Sequence, residues 1–557
     1  MEWKRRGNNH TISEVMQQLS GLSEKELTNP EPMHTEIEQE LKKAADLIVQ
    51  YIMQRKPIFI VGDYDADGIT SSCILYLTIK SLKGRVTVRL PKRESEGYGL
   101  KDCQVQEIPK DALLITIDNG IAAVGPIERV ISAGHEAIVI DHHLPGDTLP
   151  KATILADPWL YKNPFPYCGA GLAYKLATHL TRQNKILQCC LSLAAIGTIA
   201  DVVPLIGDNR YIVKKGLANI NKGIAPLGLR AILSETQVGF VDENTVGFKI
   251  APILNAAGRM LDDGAMMVFH CLLENNAVAA QNMATELNRI NEERKMAVET
   301  AMVKARETIT QEDLKEKILI LKLDAAEGIL GILAGRLTEE YHRAAICLTQ
   351  TKDPHILKGS GRTYGTLHLK NALDESNAFL LGYGGHPGAA GLSLYDKDLS
   401  QFKNVIFHCK AIQEAEMEFS DTVYYDLEIE EKDVLSTVQT VRKYAPFGEG
   451  CPAPIFKVKN IQCVAQGSAT YQFLGEKHVK LYTKDFVVVG FDLAQKFVAL
   501  EKPVRVSAIG YLGENSFAGR NGIKNTVQLE ALDFEKASAI KTAKSPLAAA
   551  LQAQFAK

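Results

Sequence analysis

Three aspartates at alternate positions near residue 60 are the first sign of chemistry in this chain. Asp63, Asp65 and Asp67 directly follow the apolar run "PIFIV", and Gly68 closes the motif. Carboxylates held a few ångströms apart raise one another's pKa and destabilise the local fold unless a cation lies between them. Taken alone, the stretch could also be a solvated acidic turn. The spacing favours a metal site, and further ligand residues elsewhere in the chain are needed to distinguish it from such a turn.

The letters D-x-D-x-D-G also match the first half of a calcium-binding EF-hand loop. Such a loop needs a bidentate glutamate at position twelve and an entering helix. Counted from Asp63, position twelve is Ile74, and the entering segment is a short β-branched run typical of a buried strand. Both observations exclude an EF-hand. The pattern instead predicts a strand that opens into an acidic loop, and parallel α/β sheets bind ligands at such strand ends.

Later segments bring further ligand types to the same predicted edge. "LLITIDNG" contains Asp118, "AIVIDHH" contains Asp141, His142 and His143, and Asp201 lies in the mostly apolar "AAIGTIADVVPL". An aspartate at a strand end can instead cap the next helix, and a histidine pair can be a surface feature. Four such segments on one edge favour a metal centre. Mixed carboxylate and imidazole ligands favour Mn²⁺ or Mg²⁺ over structural zinc.

The elements that must position these residues follow from the hydrophobic periodicity. Strand-like and helix-like runs alternate from residue 57, which predicts a mostly parallel sheet. An amphipathic helix is expected over 35–54, and an uninterrupted helix over 276–309 is long enough to bridge two domains. The expected fold class is α/β: a parallel-sheet domain, the long helix, a smaller α/β domain and a C-terminal β-barrel.

Composition limits the class of protein. With 557 residues, 46% of them hydrophobic and 23% charged, the chain should form two to four domains. No segment reaches the ~20 apolar residues of a membrane span, and the N-terminus lacks a signal-peptide core, so we expect a cytoplasmic protein without membrane contact. Ten cysteines without a C-x-x-C pair argue against a disulfide framework or a zinc ribbon. The net charge of −3 still permits a localised basic groove.

Seven motifs in one order carry a family resemblance. "VGDYDADGIT", "TIDNG", "DHH" and "IADVVPL" are similar to the DHH phosphoesterase superfamily; "PILNAAGRM", "KGSGRTYG" and "GYGGHPGAAGL" resemble its RecJ branch, the bacterial single-stranded-DNA exonucleases. The likeness covers about residues 57–535. The expected segments are an N-terminal arm and helix (1–56), a DHH catalytic domain (57–274), a connecting helix (275–312), a DHH-associated substrate-binding domain (313–440), an OB-like nucleic-acid-binding domain (441–536) and a disordered tail (537–557).

The resemblance also implies residue roles. The metal ligands that it implies are Asp65, Asp67, Asp118, His142 and Asp201, with Asp118 bridging two ions. Asp63 and His143 match catalytic positions in a ligating or supporting role, and Asp141 can orient an imidazole. The substrate contacts carried over are Arg93, Arg259, Ser360, Arg362 and His386. The Gly-rich segments 359–362 and 384–391 are expected to be turns whose N–H groups approach phosphate.

The implied function is metal-dependent hydrolysis of phosphodiester bonds in single-stranded DNA, 5′ to 3′, in DNA repair and recombination. Two Mn²⁺ or Mg²⁺ ions would activate water and neutralise charge in an in-line displacement. Besides single-stranded DNA, a single-strand-binding protein and a helicase are candidate partners, and we expect a monomer. The direction of digestion comes from the resemblance alone.

Two other functions stay open. A DHH-family phosphodiesterase for short oligonucleotides or cyclic dinucleotides would generally lack the long helix and the C-terminal β domain. A non-catalytic nucleic-acid-binding relative would have lost metal ligands, whereas every expected carboxylate and imidazole is present. The chain departs from the family pattern in its short N-terminal arm and in Thr363, where serine is frequent.

Aromatic and basic side chains interleave in the predicted β-barrel. This pattern suits base stacking and backbone tracking, although aromatics in short strands are more often core residues. The residues concerned are Tyr471, Phe473, Lys477, His478, Lys480 and Tyr482.

Overall fold

The computed structural model describes residues 2–417, 422–467, 469–519 and 522–537. They belong to two compact units, one of residues 30–420 and one that combines residues 1–29 with 421–557. The tail expected to be disordered falls, from residue 538 onward, outside the described residues. No helix within the described ranges is long and apolar enough to cross a bilayer.

A five-stranded parallel sheet lies in the first half of residues 30–420, as the alternating pattern predicted. In spatial order its strands are Arg85–Arg89, Pro57–Val61, Leu113–Ile117, Ala137–Ile140 and Ile154–Ala156. Phe59 and Leu114 pack with Ile127, while Ile58 and Ile115 are also fully buried. The strands are covered on both faces, which explains their nearly continuous apolar sequence. Because all run in one direction, their carboxyl ends share one edge.

Helices alternate with these strands and continue after them. The helix predicted over 35–54 spans Glu38–Met53, and the one after the acidic loop spans Ala66–Ser81. The other helices between residues 30 and 275 are Asp102–Gln106, Val124–Ser132, Gly169–Leu180, Asn184–Ala200, Gly207–Asn221, Leu227–Glu235, Glu243–Thr245, the π-helical Val246–Ile250, Ala251–Met260 and Gly264–Leu273; Pro158–Leu160 is a short 3₁₀ turn.

One helix of 32 residues, Ala277–Thr308, occupies the stretch predicted to be a single long helix. Asn276 caps it by accepting the N–H groups of Val278 and Ala279. The long helix contacts the helices Leu227–Glu235 and Ala251–Met260, and Met302, near its end, packs in the core of the next sheet. The helix therefore bridges two hydrophobic cores.

The second sheet combines parallel and antiparallel strands. In spatial order they are Gly382–His386, Ala389–Tyr395, Ile356–Arg362, Ala344–Gln350 and Ile318–Lys322, and only the last two run parallel. The helices Leu330–Tyr341, Leu369–Glu375, Leu399–His408 and Lys410–Glu414 accompany them.

The segment 359–362 is not the turn that its glycines suggested. It ends the central strand Ile356–Arg362, where a Cβ on Gly359 would lie 2.5 Å from Cδ2 of Leu348. Its glycines serve close packing of neighbouring strands rather than a turn. The segment 384–391 does contain a turn, between the strands Gly382–His386 and Ala389–Tyr395.

The other unit contains a mixed seven-stranded sheet where a β-barrel was predicted. Its strands, in spatial order, are Leu427–Glu430, Ile455–Gln462, Arg505–Gly519, Gly522–Lys536, Val487–Gly490, His478–Tyr482 and Tyr471–Leu474. Its helices are Ile12–Ser20, Glu24–Thr28, Val434–Val441 and Ala494–Ala499.

Two of the expected segment boundaries differ from these units. The strand Leu427–Glu430 pairs with Ile455–Gln462, although the boundary at 440 places it in the preceding domain. The strand Glu2–Arg5 pairs in parallel with Thr422–Tyr425, so the N-terminal arm belongs with the C-terminal residues and only its helix joins the parallel-sheet half. Hydrophobic periodicity missed both pairings because these strands have four residues each.

Candidate active site

The catalytic residues expected from the sequence converge at the carboxyl edge of the parallel sheet. In three sets the potential ligand atoms lie within 4.8 Å of one another. The sets are Asp63 with Asp65 and Asp118, Asp118 with His142 and His143, and Asp67 with His142 and Asp201. Asp118 and His142 each belong to two sets, so they lie at the middle of the cluster.

Two helix N-termini position the acidic loop. Oδ1 of Asp65 accepts the N–H groups of Asp67 at 2.9 Å and Gly68 at 3.1 Å, so this aspartate does cap a helix, as the alternative interpretation allowed. It nevertheless keeps a carboxylate oxygen within ligand distance of its neighbours. Asp67 accepts the N–H groups of Gly169 at 2.6 Å and Ala170 at 2.8 Å. Donors at a helix N-terminus stabilise its negative charge.

The backbone is left-handed at one candidate ligand and directly after another. Asp118 has a φ of 61°, and Val202, directly after Asp201, has a φ of 58°. A β-branched residue in this region is strained, and such strain is frequent at functional sites. The turn after the strand Leu113–Ile117 directs Asp118 towards His142, whose Nε2 lies 3.0 Å from Oδ1 of Asp118.

The imidazole of His142 is surrounded by carboxylates. Besides Asp118, its Nε2 lies 3.8 Å from Oδ2 of Asp67 and 3.8 Å from Oδ2 of Asp201. Asp141 faces the neighbouring histidine instead: its Oδ1 lies 2.7 Å from Nδ1 of His143, and its Oδ2 accepts the N–H of Ile121. Asp141 thus orients His143, and it touches His142 only through the backbone N–H.

Burial and mutual repulsion shift the pKa values of the cluster. Burial, followed by the charge of Asp65, raises the pKa of Asp67 to about 6, and burial, followed by Asp67 and Asp65, raises that of Asp201 to about 8. The same causes raise the pKa of Asp118 well above its usual range. Burial, together with His143, lowers the pKa of His142 to about 4, so this imidazole is neutral and free to bind a metal.

This donor set fits a hard divalent cation. Buried carboxylates that resist ionisation regain their charge when a cation lies among them. Neutral imidazole with several carboxylates is the ligand chemistry of Mn²⁺ and Mg²⁺ sites. The residues therefore fit the two ions that the sequence led us to expect.

A group of arginines lies close to the acidic cluster. Arg259 is partly buried, and this desolvation, followed by the charge of Arg93, lowers its pKa to about 10; Arg294 and Arg362 contribute in the same direction. Its Nη1 donates to the carbonyl of Gly328 at 3.1 Å, which joins the two halves of residues 30–420. Among the described residues, no carboxylate forms a salt bridge with Arg93, Arg259 or Arg362. Guanidinium groups without carboxylate partners suit phosphate.

The other expected substrate contacts surround these arginines. The Arg93 guanidinium lies 4.6 Å from the ring centroid of Tyr64. Nη1 of Arg362 donates to the carbonyl of Gly361 at 2.9 Å and lies 3.5 Å from Oγ of Ser360. His386 is exposed on its hairpin, and its charge contributes to lowering the pKa of His142.

Sequence reasoning missed several residues that shape the site. Oδ1 of Asn255 accepts the N–H of Ala66 at 2.8 Å and so fixes the acidic loop. A Cβ on Gly169 would lie 2.6 Å from Cβ of Asp118. Nε of Arg294 is buried without a hydrogen-bond partner among the described residues. Asn255 lies in the motif "PILNAAGRM" and could have been singled out there. Arg294 lies in a highly charged helix, where nothing in the sequence distinguishes it from the other charged residues.

Family models and relatives match this chain along most of its length. The DHH family N-terminal domain matches residues 57–198, the DHHA1 domain 315–411 and the RecJ OB domain 425–541. The single-stranded-DNA-specific exonuclease RecJ of Dickeya dadantii is 33% identical over 79% of this chain and 80% of its own length. The chain belongs to the RecJ family.

Two further RecJ proteins show how much of the family this chain covers. RecJ of Bacillus subtilis is 32% identical over 86% of the chain, which spans 62% of that relative's length. The crystal structure of RecJ from Thermus thermophilus in complex with Mn²⁺ superposes with a TM-score of 0.77 at 28% identity, over 97% of this chain and 80% of that one. RecJ membership confirms the fold class predicted from the sequence.

Proposed function

We propose that this chain is a metal-dependent exonuclease that hydrolyses phosphodiester bonds of single-stranded DNA from the 5′ end. The observation that carries the proposal is the convergence of seven acidic and imidazole side chains beside arginines that form no salt bridge with a carboxylate of the described residues. An acidic centre next to unpaired guanidinium groups suits a substrate that brings its own phosphates. The names of the RecJ relatives supply the choice of single-stranded DNA.

In this proposal, five side chains of the acidic cluster bind two metal ions, and Asp118 is shared by both. The ligands would be Asp65, Asp67, Asp118, His142 and Asp201. Asp118 would serve both ions, because it belongs to two of the three ligand sets and, unlike His142, offers two ligand oxygens. Bound Mn²⁺ or Mg²⁺ supplies Lewis-acid chemistry that activates water and neutralises charge at phosphorus. Asp63 contributes a further buried carboxylate, and the Asp141–His143 pair holds a proton next to the reacting region.

The arginine side of the site would fix the end of the strand. Arg362 and Ser360 offer a guanidinium and a hydroxyl to the terminal phosphate, while Arg259 and Arg93 neutralise the adjoining backbone. Burial lowers the pKa of Arg362, which indicates a partly desolvated cation. A desolvated cation binds phosphate more strongly than an exposed one. His386 would contact the strand near the metal ligand His142.

The biological setting belongs to the same proposal. Digestion from 5′ to 3′ in DNA repair and recombination, a cytoplasmic location, action as a monomer, and cooperation with a single-strand-binding protein and a helicase all follow from the family resemblance. Apart from the limits at residues 56 and 440, which the strand pairings contradict, the domain limits given above are likewise proposed.

One assay tests the function directly. Single strands, duplexes and dinucleotides, labelled at either end, are incubated with Mn²⁺, Mg²⁺ or EDTA, and the products are resolved over time. We expect mononucleotides released from 5′-phosphorylated single strands only when a divalent ion is present. Exclusive cleavage of dinucleotides would establish the short-oligonucleotide phosphodiesterase instead, and binding without cleavage would establish the non-catalytic alternative.

A further inference from the structure

An exposed tryptophan stands beside the acidic cluster and has no part in the proposed metal or phosphate contacts. Trp159 follows the edge strand Ile154–Ala156 in the turn Pro158–Leu160, and 42% of it is exposed. Its Nε1 donates to the backbone carbonyl of His142 at 2.8 Å. The indole is therefore hydrogen-bonded directly to the loop that carries a candidate metal ligand.

The turn around this indole is fixed from both sides. The buried Asp157 accepts the backbone N–H of Trp159 at 2.8 Å, while the indole N–H is used by His142. With both of its donors satisfied, Trp159 has only the faces and edge of its ring to offer a ligand. Single exposed apolar side chains are common on protein surfaces; what distinguishes this ring is that it is held rigidly beside the acidic cluster, where a substrate would lie.

Two leucines close in sequence to the histidine pair and to Trp159 are exposed as well. Leu144, directly after the histidine pair, is 57% exposed, and Leu160 is 37% exposed. Phosphate recognition explains none of these three side chains. An exposed planar ring matches the face of an unpaired nucleobase, which is apolar above and below its plane.

We infer that Trp159 is a base-stacking platform for a nucleotide of single-stranded DNA next to the scissile phosphate. This inference rests on the proposed exonuclease function, because the acidic cluster must hold the phosphate for the adjoining base to reach the indole. Stacking requires a base that is free of its complementary strand. Trp159 is then a specificity-determining residue that favours single strands over duplexes.

Fluorescence tests the contact without relying on activity. The chain has two tryptophans, so Trp3→Phe leaves Trp159 as the only indole fluorophore. A 5′-phosphorylated thymidine oligonucleotide with phosphorothioate linkages, titrated with Mg²⁺ present, should quench this emission saturably. One abasic residue placed in turn along the first nucleotides should abolish quenching at one position. Binding measured by anisotropy without any quenching would overturn the inference.

Three variants separate stacking from support of His142. Trp159→Phe keeps an aromatic face but loses the indole donor, so it should bind the oligonucleotide nearly as well as wild type. Trp159→Ala should bind roughly 5- to 150-fold more weakly, the range expected for one stacked base, and should raise KM more than it lowers kcat. Met53→Ala, which alters a side chain 79% exposed at the end of the helix Glu38–Met53, is the control.

The outcomes also separate this inference from the proposed function. If wild type cleaves single strands but Trp159→Phe is as impaired as Trp159→Ala, the indole supports His142 and stacking is refuted. Equal affinity of Trp159→Ala and wild type refutes it as well. If wild type binds no oligonucleotide and cleaves none, the exonuclease proposal itself fails.

Discussion

Oδ1 of Asp118 lies 3.0 Å from Nε2 of His142, and the two residues come from the ends of adjacent parallel strands. Each also belongs to a second set of potential ligands, so this contact joins the two halves of the acidic cluster. A cation on either side would share Asp118. Changes at this aspartate should therefore affect both proposed ions together.

Asp118→Ala should fold and lose measurable nuclease activity, because the shared carboxylate is absent. Without metal, Asp118→Asn, which tolerates the left-handed φ of 61° at this position, should unfold at a slightly higher temperature than wild type, since burial and the charges of Asp67 and Asp65 disfavour ionised Asp118. Turnover and thermal unfolding by circular dichroism measure both effects. Asp147→Ala, at an exposed position in the same region, is the control. Near-normal turnover of Asp118→Ala would refute the two-ion assignment.

Stability should depend on pH with opposite signs in EDTA and in Mg²⁺. The pKa values of Asp67 and Asp201, raised to about 6 and about 8 chiefly by burial, lie above the ~3.9 of an unfolded aspartate. The folded state then binds more protons, so the contribution of these groups to stability falls as pH rises through this range. A cation needs ionised ligands, so the stabilisation that it provides should grow with pH.

Thermal unfolding at about pH 5 and pH 8.5, with EDTA or Mg²⁺, tests this sign. Asp201→Asn is the matched variant, and its unfolding temperature in EDTA should fall less than that of wild type as pH rises. A wild-type protein that lost as little stability as Asp201→Asn would show that Asp201 ionises normally.

Gly169→Ala should weaken metal binding although it changes no ligand. The added Cβ would lie 2.6 Å from Cβ of Asp118 and 3.0 Å from Oδ2 of Asp67, so the helix or both carboxylates must move. Overpacking of this kind costs about 1–3 kcal/mol of stability. Mn²⁺ titration by calorimetry checks the affinity. Gly146→Ala, whose Cβ would meet nothing within 4 Å, should bind Mn²⁺ like wild type.

Arg362→Ala should weaken binding of the 5′ end far more than binding of metal. Loss of one charge-assisted contact to phosphate corresponds to roughly 1.5–3 kcal/mol. Anisotropy with 5′-phosphorylated and 5′-hydroxyl strands measures the preference, and Arg362→Lys tests whether charge without the planar fork is enough. Undiminished preference for the 5′-phosphate in Arg362→Ala would place the end-binding pocket elsewhere.

Residues 30–420 alone should keep the metal centre and cleave dinucleotides, because every candidate ligand lies within them. The fragment should bind long single strands weakly if the other unit stacks bases at ~1–3 kcal/mol each. His478, Lys480 and Tyr482 alternate with buried Val479 and Leu481, which leaves them on the solvent side of their strand. Affinity equal to that of the full chain would show that this unit does not hold DNA.

Tyr471 and Phe473 fit the stacking prediction less well than those three residues. Their rings lie 5.0 Å and 6.5 Å from that of Phe497, which is buried in the core. Replacing His478, Lys480 and Tyr482 together is therefore the sharper test. The full chain with these changes should lose affinity for long strands and keep its cleavage of dinucleotides.

The sequence predicted the parallel sheet and the acidic edge well because both depend on local patterns. Once the apolar strands run parallel, the residues that follow them, such as Asp63 and Asp118, must lie at the same edge of the sheet. The support of Asp67 by the N–H groups of Gly169 and Ala170 was not predictable, since it depends on how a helix a hundred positions later packs. Sequence spacing carries no information about such contacts.

The pairing of Glu2–Arg5 with Thr422–Tyr425 has a consequence for biosynthesis. The first strand leaves the ribosome more than 400 residues before its partner, which at ~5–20 residues per second means a wait of roughly 20–80 s. Residues 30–420 can fold during that interval, whereas the N-terminal strand must stay unpaired and accessible to chaperones and proteases. Translation speed, and tags fused ahead of Glu2, should therefore influence the yield of correctly assembled protein.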